Sequence, residues 1–550
     1  MNRGRIVAAV GIGFSLACSQ ARGAAPDVKS LFPAGAASGS TVEVVATGAL
    51  KPWPPKVRVS GEGVRFEPLK DEGKFRVVVA AGTAPGVRWV RFYNDDGAAA
   101  PRGFVVGAVP EVTETEANDA GDDGIKPIER LTTINGRLAK AGDLDAFRVR
   151  LTAGRTFVAW LDCHTPLATP LDAVLQLATA EGHVVAQNLD ERGLDPGLTF
   201  TPPRDGDYLI RVFGYAAEPS TNLRFTGVDN GVYRLTVGCG PVVDHAFPTV
   251  VEAGKPATTS LAGWNLAPET AAVQRTAEVS AGTRSDLVLA STDGKTSETN
   301  VAGRAAIVAV DVPTTIEREP NDAAHPQSIE APIAVNGRIA DRGDRDVYAL
   351  RAKKGDSLRL RVASREFGFA VDPLLRVVKS DGTELNRFDD LARNEPDVDA
   401  VWRAPEDGEY RLIVEDLFGA AGLRHVYVLD VRPVGEDFSL TTAAGAVEGK
   451  AGKPFDVAVD VVRPTGMTAE IELSIEGLPE GTTGLTAISA AKGDTTKKVV
   501  LKPIVRQPFS GPLRIVGKIK GKSVARTATI VPSPGPGLPP IVDVWATVKK

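Results

Sequence analysis

Two stretches of this 550-residue chain, 112 to 240 and 315 to 433, carry the same motifs in the same order, and that repetition constrains the fold more than any other feature. Each opens with an acidic box, Glu114-Thr115-Glu116-Ala117-Asn118-Asp119 or Glu317-Arg318-Glu319-Pro320-Asn321-Asp322. Each continues through Asn-Gly-Arg, at 135–137 or 336–338, and then a Gly-Asp-x-Asp turn whose first Asp, Asp143 or Asp344, stands eight residues beyond the Asn. The second Asp of the turn is Asp145 or Asp346, and an aromatic, Phe147 or Tyr348, follows. Further on, Asp205-Gly206-Asp207-Tyr208 matches Asp407-Gly408-Glu409-Tyr410, and the stretches close with Val232-Tyr233-Arg234-Leu235 and Val426-Tyr427-Val428-Leu429. An order kept along both stretches implies one structural unit used twice.

Within and between the repeats, apolar and polar residues alternate with period two, as in Thr41 to Ala46, Leu358 to Val362 and Tyr427 to Val431. This is the signature of half-buried strands. Arg359 and Arg361 are expected to face water while Leu358, Leu360 and Val362 face a core. With 56 Gly, 39 Pro and two Met, the composition favours short strands and turns over long helices. Residues 26–109 and 241–315 open alike, with Leu31-Phe32-Pro33 and Ala246-Phe247-Pro248, and read as immunoglobulin-like sandwiches. The reading is therefore an all-β, multi-domain string of β-sandwiches: 26–109, 110–240, 241–315, 316–433 and 434–550. The Pro-Gly stretch at 532–540 is predicted to be extended and poorly packed.

Arg3 and Arg5 precede an apolar run from Ile6 to Ala17, and Ala21-Arg22-Gly23 supplies small residues after it, so residues 1–23 read as a secretory signal peptide. The run is shorter than the roughly 20 residues of a membrane-spanning helix, so no transmembrane segment is expected after cleavage. Cys18 opens an alternative, a lipid-anchored surface protein, although Ser15 stands where lipoprotein signals carry an aliphatic residue. Losing residues 1–23 removes three arginines and no acid, so the net charge of −5 becomes −8. That sign argues against nucleic acid as a partner. Of the three cysteines, Cys163 and Cys239 remain in the exported chain, at the ends of two strand-like runs, where a disulfide and two free thiols are both open.

The acidic boxes carry the candidate chemistry. Glu at i and i+2 with Asn at i+4 places three oxygen-bearing side chains on one face of an extended segment. Crowding Glu114, Glu116, Asn118 and Asp119 with Asp143 and Asp145 is unfavourable without a counter-cation. The same holds for Glu317, Glu319, Asn321 and Asp322 with Asp344 and Asp346. Ca²⁺ takes six to eight oxygens from such a set, so these twelve residues are candidate calcium ligands.

On these motifs both repeats resemble the bacterial pre-peptidase C-terminal domain, a β-sandwich related to the collagen-binding domains of secreted collagenases. The resemblance covers the two repeats and implies that the Glu-x-Glu-x-Asn-Asp box and the acids of the later turn chelate calcium. Ala117 departs from the Pro that the second copy keeps as Pro320. Residues 26–109 and 241–315 resemble, more loosely, the IPT or TIG immunoglobulin-like domains, which implies architecture alone.

That family often trails a secreted protease, yet no protease motif stands here. The five histidines, His164, His183, His245, His325 and His425, form no His-Glu-x-x-His motif, and no Gly-x-Ser-x-Gly elbow occurs. Each histidine reads as a loop or surface residue. The acid pairs Asp389-Asp390 and Glu415-Asp416 read as solvated loop residues rather than a glycosidase pair, and Trp53, Trp264 and Trp402 as core rather than sugar platforms. The expectation is an exported, non-catalytic protein that engages an extracellular or envelope protein or polysaccharide. The alternative is a hydrolase or peptidase, or an accessory part of one.

Overall fold

The structure, a computed structural model, describes residues 24–550 except 117, 119–126, 219–223, 269–271, 277–280, 288–300, 393–394, 436, 465–466, 532–534 and 536, and leaves out the side chains of 272–276. The segment expected to be a signal peptide, with Cys18, and the candidate ligand Asp119 thus lie outside the described residues. No helix among the described residues is long and apolar enough to cross a membrane.

The fold is all-β. Alternating runs become strands throughout, and the described helices are one turn at His164–Leu167 and a 3-10 turn at Arg365–Phe367. Ten sheets pair into five sandwiches, each closed over a separate apolar core, because a sheet with one apolar face must bury it against another.

The second and fourth sandwiches hold the two repeats and share one strand order. In the second, one sheet runs Glu111–Thr113, Thr132–Arg137, Val232–Gly238, Phe157–Asp162, Gly197–Phe200. In the fourth, the corresponding order is Thr314–Ile316, Ile333–Arg338, Val426–Pro433, Ser357–Ala363, Val398–Arg403. The facing sheets match over four strands, Asp145–Leu151, Gly206–Ala216, Leu171–Thr179, Val184–Asn188 against Asp346–Ala352, Gly408–Asp416, Pro373–Lys379, Glu384–Phe388, and the fourth sandwich adds Gln327–Ile329 beside Asp346–Ala352.

Cys163 and Cys239 are free thiols. The reason is strand direction: Phe157–Asp162 and Val232–Gly238 pair antiparallel, with Leu161 opposite Leu235 and Val158 opposite Gly238. The C-terminal ends of antiparallel neighbours lie at opposite ends of the ladder, here about 20 Å apart at 3.3 Å per residue.

The sandwiches are joined by side chains that the sequence motifs supply. Arg137 and Arg338, the last residues of the two Asn-Gly-Arg motifs, lie over the rings of Phe32 and Phe247, 4.3 and 3.6 Å from the centroids. The two Phe-Pro openings are therefore docking points for the sandwich that follows each. Asn336 adds hydrogen bonds from the backbone N–H groups of Thr249 and Val250 to its Oδ1, both 2.9 Å. In the second sandwich Asn135 instead accepts from Arg234, whose fork also grips Glu111.

Arg361, 33% exposed, pairs with the half-exposed Glu366 of its own sandwich, whereas Arg359 is partly covered: it grips Asp399 and reaches Asp437 at the junction with the fifth sandwich. There Arg432 and Arg526 share Asp311 and Asp437. The first and fifth sandwiches also touch. Arg91 donates to the carbonyls of Gly445 and Asp543, and Tyr93 stacks 4.4 Å from Trp545. Within the Pro-Gly stretch Leu538 is packed rather than loose, lying against Ala34, Val87 and Leu167.

Candidate metal centres

Each acidic box is laid down by a short parallel strand, Glu111–Thr113 or Thr314–Ile316, beside the Asn-Gly-Arg strand. The N–H of Glu114 donates to the Asn135 carbonyl and that of Glu317 to the Asn336 carbonyl, each at 3.0 Å. The carbonyls of Asn118 and Asn321 then accept from Ala146 and Val347, which draws each Asn over the start of the strand beginning at Asp145 or Asp346. The Gly-Asp turn comes from the opposite side. Gly142 and Gly343 have φ of 81° and 77°, and the Asp that follows is fixed by the N–H of Ala139 or Ala340 donating to its Oδ2.

These elements bring three carboxylates together twice. One oxygen each from Glu116, Asp143 and Asp145 lies within 4.8 Å of the other two, and Glu319, Asp344 and Asp346 are arranged alike. Asp145 and Asp346 are wholly buried, and Asn118 and Asn321 are 2% and 1% exposed. Oδ1 of Asp143, Asp145 and Asp346, both side-chain polar atoms of Asn118 and Nδ2 of Asn321 are buried without a hydrogen bond among the described residues. Asp143 Oδ1 has Lys140 Nζ at 3.5 Å, whereas Oδ1 of Asp145 and of Asp346 has no such neighbour among the described residues; buried carboxylate oxygens normally have partners, so each triad could hold a cation.

The floor of each site is a tyrosine. Tyr233 donates to Asp145 Oδ2 at 2.6 Å and lies 3.1 Å from Glu114 Oε2. Tyr427 donates to Asp346 Oδ2 at 2.6 Å, and its oxygen is 2.6 Å from that of Tyr348, where the first site has Phe147. Both rings cross the glycine of Asn-Gly-Arg: a Cβ on Gly136 or Gly337 would stand 2.2 or 2.4 Å from the tyrosine oxygen. The fixed distance between that motif and the acids therefore has a steric origin. Neither tyrosine was assigned a role from sequence, although both stand in the closing Val-Tyr motif.

Electrostatics point the same way. Burial pushes Asp145 and Glu114 well above the usual carboxylate range, and their mutual repulsion adds to the rise at Asp145. Glu317 is pushed up to about 8, first by burial and then by the Asp346 charge, and Asp346 up to about 7, first by burial. A divalent cation would relieve both causes.

Not every candidate ligand reaches a triad. Glu114 and Glu317 lie beside them, their carboxylates held by the N–H of Arg137 and of Arg338 at 2.6 and 2.7 Å. The box therefore contributes its second Glu and its Asn, while its first Glu braces the floor. Asp322 turns away: its Oδ1 accepts from the N–H of Ala324 and His325 and lies 3.0 Å from His325 Nδ1. A turn three residues long captures that carboxylate more readily than the distant triad. His245, expected on the surface, is 5% exposed and bound to Asp244. Glu415 pairs with Arg345 and Arg376, and Asp416 caps its own turn, so neither is a bare solvated acid. Trp402 is core.

No family model matches the chain. A probable subtilase-type serine protease of Deinococcus radiodurans is 34% identical over 113 residues, 20% of this chain and 15% of that protein. The chain therefore spans a small part of that relative's length. Among solved structures, the pre-peptidase C-terminal domain of a Bacillus anthracis collagenase is similar over its whole length and 21% of this chain, at 18% identity and a TM-score of 0.17. The D0–D1 domain of intimin is similar over 37% of this chain and 91% of its own, at 11% identity and a TM-score of 0.13.

Proposed function

We propose that this is an exported, non-catalytic binding protein in which two calcium ions stiffen the repeats and set the sandwiches for engaging an extracellular or envelope protein or polysaccharide. The observation that carries the reading is the recurrence of one arrangement, three carboxylates and a buried amide over a tyrosine floor, in both repeats. An all-oxygen donor set of carboxylates and amide suits a hard cation, and its irregular, partly exposed layout suits Ca²⁺ better than the strict octahedron of Mg²⁺. Glu116 and Glu319 would close over the ion from the exposed side, with the buried aspartates beneath it. The non-catalytic reading rests on the sequence, in which the five histidines stand apart and form no His-Glu-x-x-His motif and no Gly-x-Ser-x-Gly elbow occurs. An accessory role beside a secreted peptidase is the second reading, favoured by the likeness to the Deinococcus protein.

The test is calorimetric titration of the chelator-treated full chain with Ca²⁺. Two bound ions are expected, with one lost in Glu319→Ala or Asp344→Ala and the other in Asp143→Ala. Absence of calcium binding, or binding that these substitutions leave unchanged, would remove the metal from the proposal.

A further inference from the structure

Away from the repeats' acidic sites, four arginines from three sandwiches converge on one cavity of about 60 Å³: Arg192 of the second, Arg284 and Arg304 of the third, and Arg424 of the fourth. One carboxylate, Asp244, lines it with them, and Phe367, Phe369 and Leu538 form an apolar wall. Three of the arginines are well matched. Arg304 forks onto Asp162 at 2.8 and 3.3 Å, and Arg192 meets Asp244 at 2.6 Å while its guanidinium lies over Trp160. Arg424 pairs with Glu191 and lies 3.2 Å from Asp244. The buried Asp195, held by three backbone N–H groups, also stands behind this cluster.

Arg284 is different. Its single ionic contact is Nε to Asp286 at 3.4 Å, a carboxylate already shared with Arg88, and its side chain is only 20% exposed. At Nε that contact is long and misses hydrogen-bond geometry, and the one carboxylate serves two guanidinium groups. A guanidinium carries five N–H donors in a rigid fork, so one long contact to a shared carboxylate leaves the fork able to take a further oxygen ligand. Burial, with the Arg304 charge adding to it, pulls Arg284 down from its usual value against the opposing pull of Asp286, whereas at Arg304 the Asp162 carboxylate outweighs burial and raises it.

We propose that this cavity binds one small oxyanion, an inorganic tetrahedral anion or a free carboxylate, with Arg284 as the principal ligand. Planar guanidinium forks match oxyanions two oxygens at a time. The volume is about that of two waters in bulk, room for a single such group rather than a larger ligand. The apolar wall limits water and strengthens each charge-assisted contact. Because the lining comes from three sandwiches, the bound anion would lock their mutual placement.

The experiment is thermal unfolding of the full chain against increasing inorganic phosphate, and separately acetate, at constant ionic strength. A saturable rise in melting temperature with one of the two is expected, and which one responds identifies the class. The rise should be absent in Arg284→Gln. Arg284→Lys keeps the charge and loses the fork, so its half-saturation should move up by about tenfold; it decides the question if the glutamine variant fails to fold. No saturable response to either anion, or the same response in wild type and both variants, would overturn the site and mark the effect as general salting-out.

Discussion

Replacing Gly337 by alanine tests whether the Asn-Gly-Arg motif exists for the metal site. Its Cβ would stand 2.2 Å from Tyr427 Cζ and 2.4 Å from the tyrosine oxygen, well inside contact distance. Tyr427 is wholly buried and its hydroxyl is committed to Asp346, so the ring has nowhere to retreat. Overpacking of a well-filled core costs about 1–3 kcal/mol. Displacing a hydrogen bond to a charged acceptor adds roughly 1.5–3 kcal/mol. Together the fourth sandwich should lose about 2.5–6 kcal/mol, which is at least on the order of 70-fold faster amide exchange where global opening governs. Hydrogen-exchange mass spectrometry on the full chain reads this in the strand Val426–Pro433, and calcium titration reads the accompanying loss of affinity. Gly343→Ala is the control. Nothing lies within 4 Å of its Cβ, but φ is +77°, so it should lose about 1 kcal/mol through backbone strain alone. If Gly337→Ala exchanges and binds calcium like wild type, the steric link between motif and site is wrong.

Calcium uptake at the second site should release protons, because Glu317 at about 8 and Asp346 at about 7 are partly protonated near neutrality without the ion. Affinity should therefore rise from pH 5 to pH 8, and titrations in buffers of different ionisation enthalpy measure the protons released. By the same raised values, the ion-free fold binds more protons than the unfolded chain, so its stability should fall as pH rises from about 4 to about 8. Asn336→Ala leaves two buried N–H groups without an acceptor at about 1–3 kcal/mol each, and should raise amide exchange at Thr249 and Val250. Alkylation in non-reducing denaturant should label both Cys163 and Cys239, while in the native protein the half-buried Cys239 reacts and the buried Cys163 does not.

Period-two alternation and turn residues are local properties, so the all-β class and the strand-rich repeats were legible along the chain. The acids of the triads were legible for a related reason: motif order in two copies exposed Glu116, Asp143, Asp145 and their counterparts without any knowledge of contacts. What separated Glu114 from Glu116 was the backbone N–H of Arg137, a partner supplied by the neighbouring strand, and no spacing within the box encodes it. Tyr233 and Tyr427 were visible only as the second residue of the closing motif, since their hydroxyls reach the acids across the core.

The sequence by itself determined the fold class, the repetition and the acidic chemistry, because each rests on residues close together in the chain or on one unit compared with itself. Tertiary structure alone decided that Cys163 and Cys239 stand apart, that Arg359 reaches Asp437 of the next sandwich, and that Arg137 and Arg338 dock on Phe32 and Phe247. It also decided that four arginines spread from position 192 to position 424 face one cavity. Those outcomes depend on strand direction and on which sandwich covers which face, and both are set by long-range packing that alternation along a single strand does not specify.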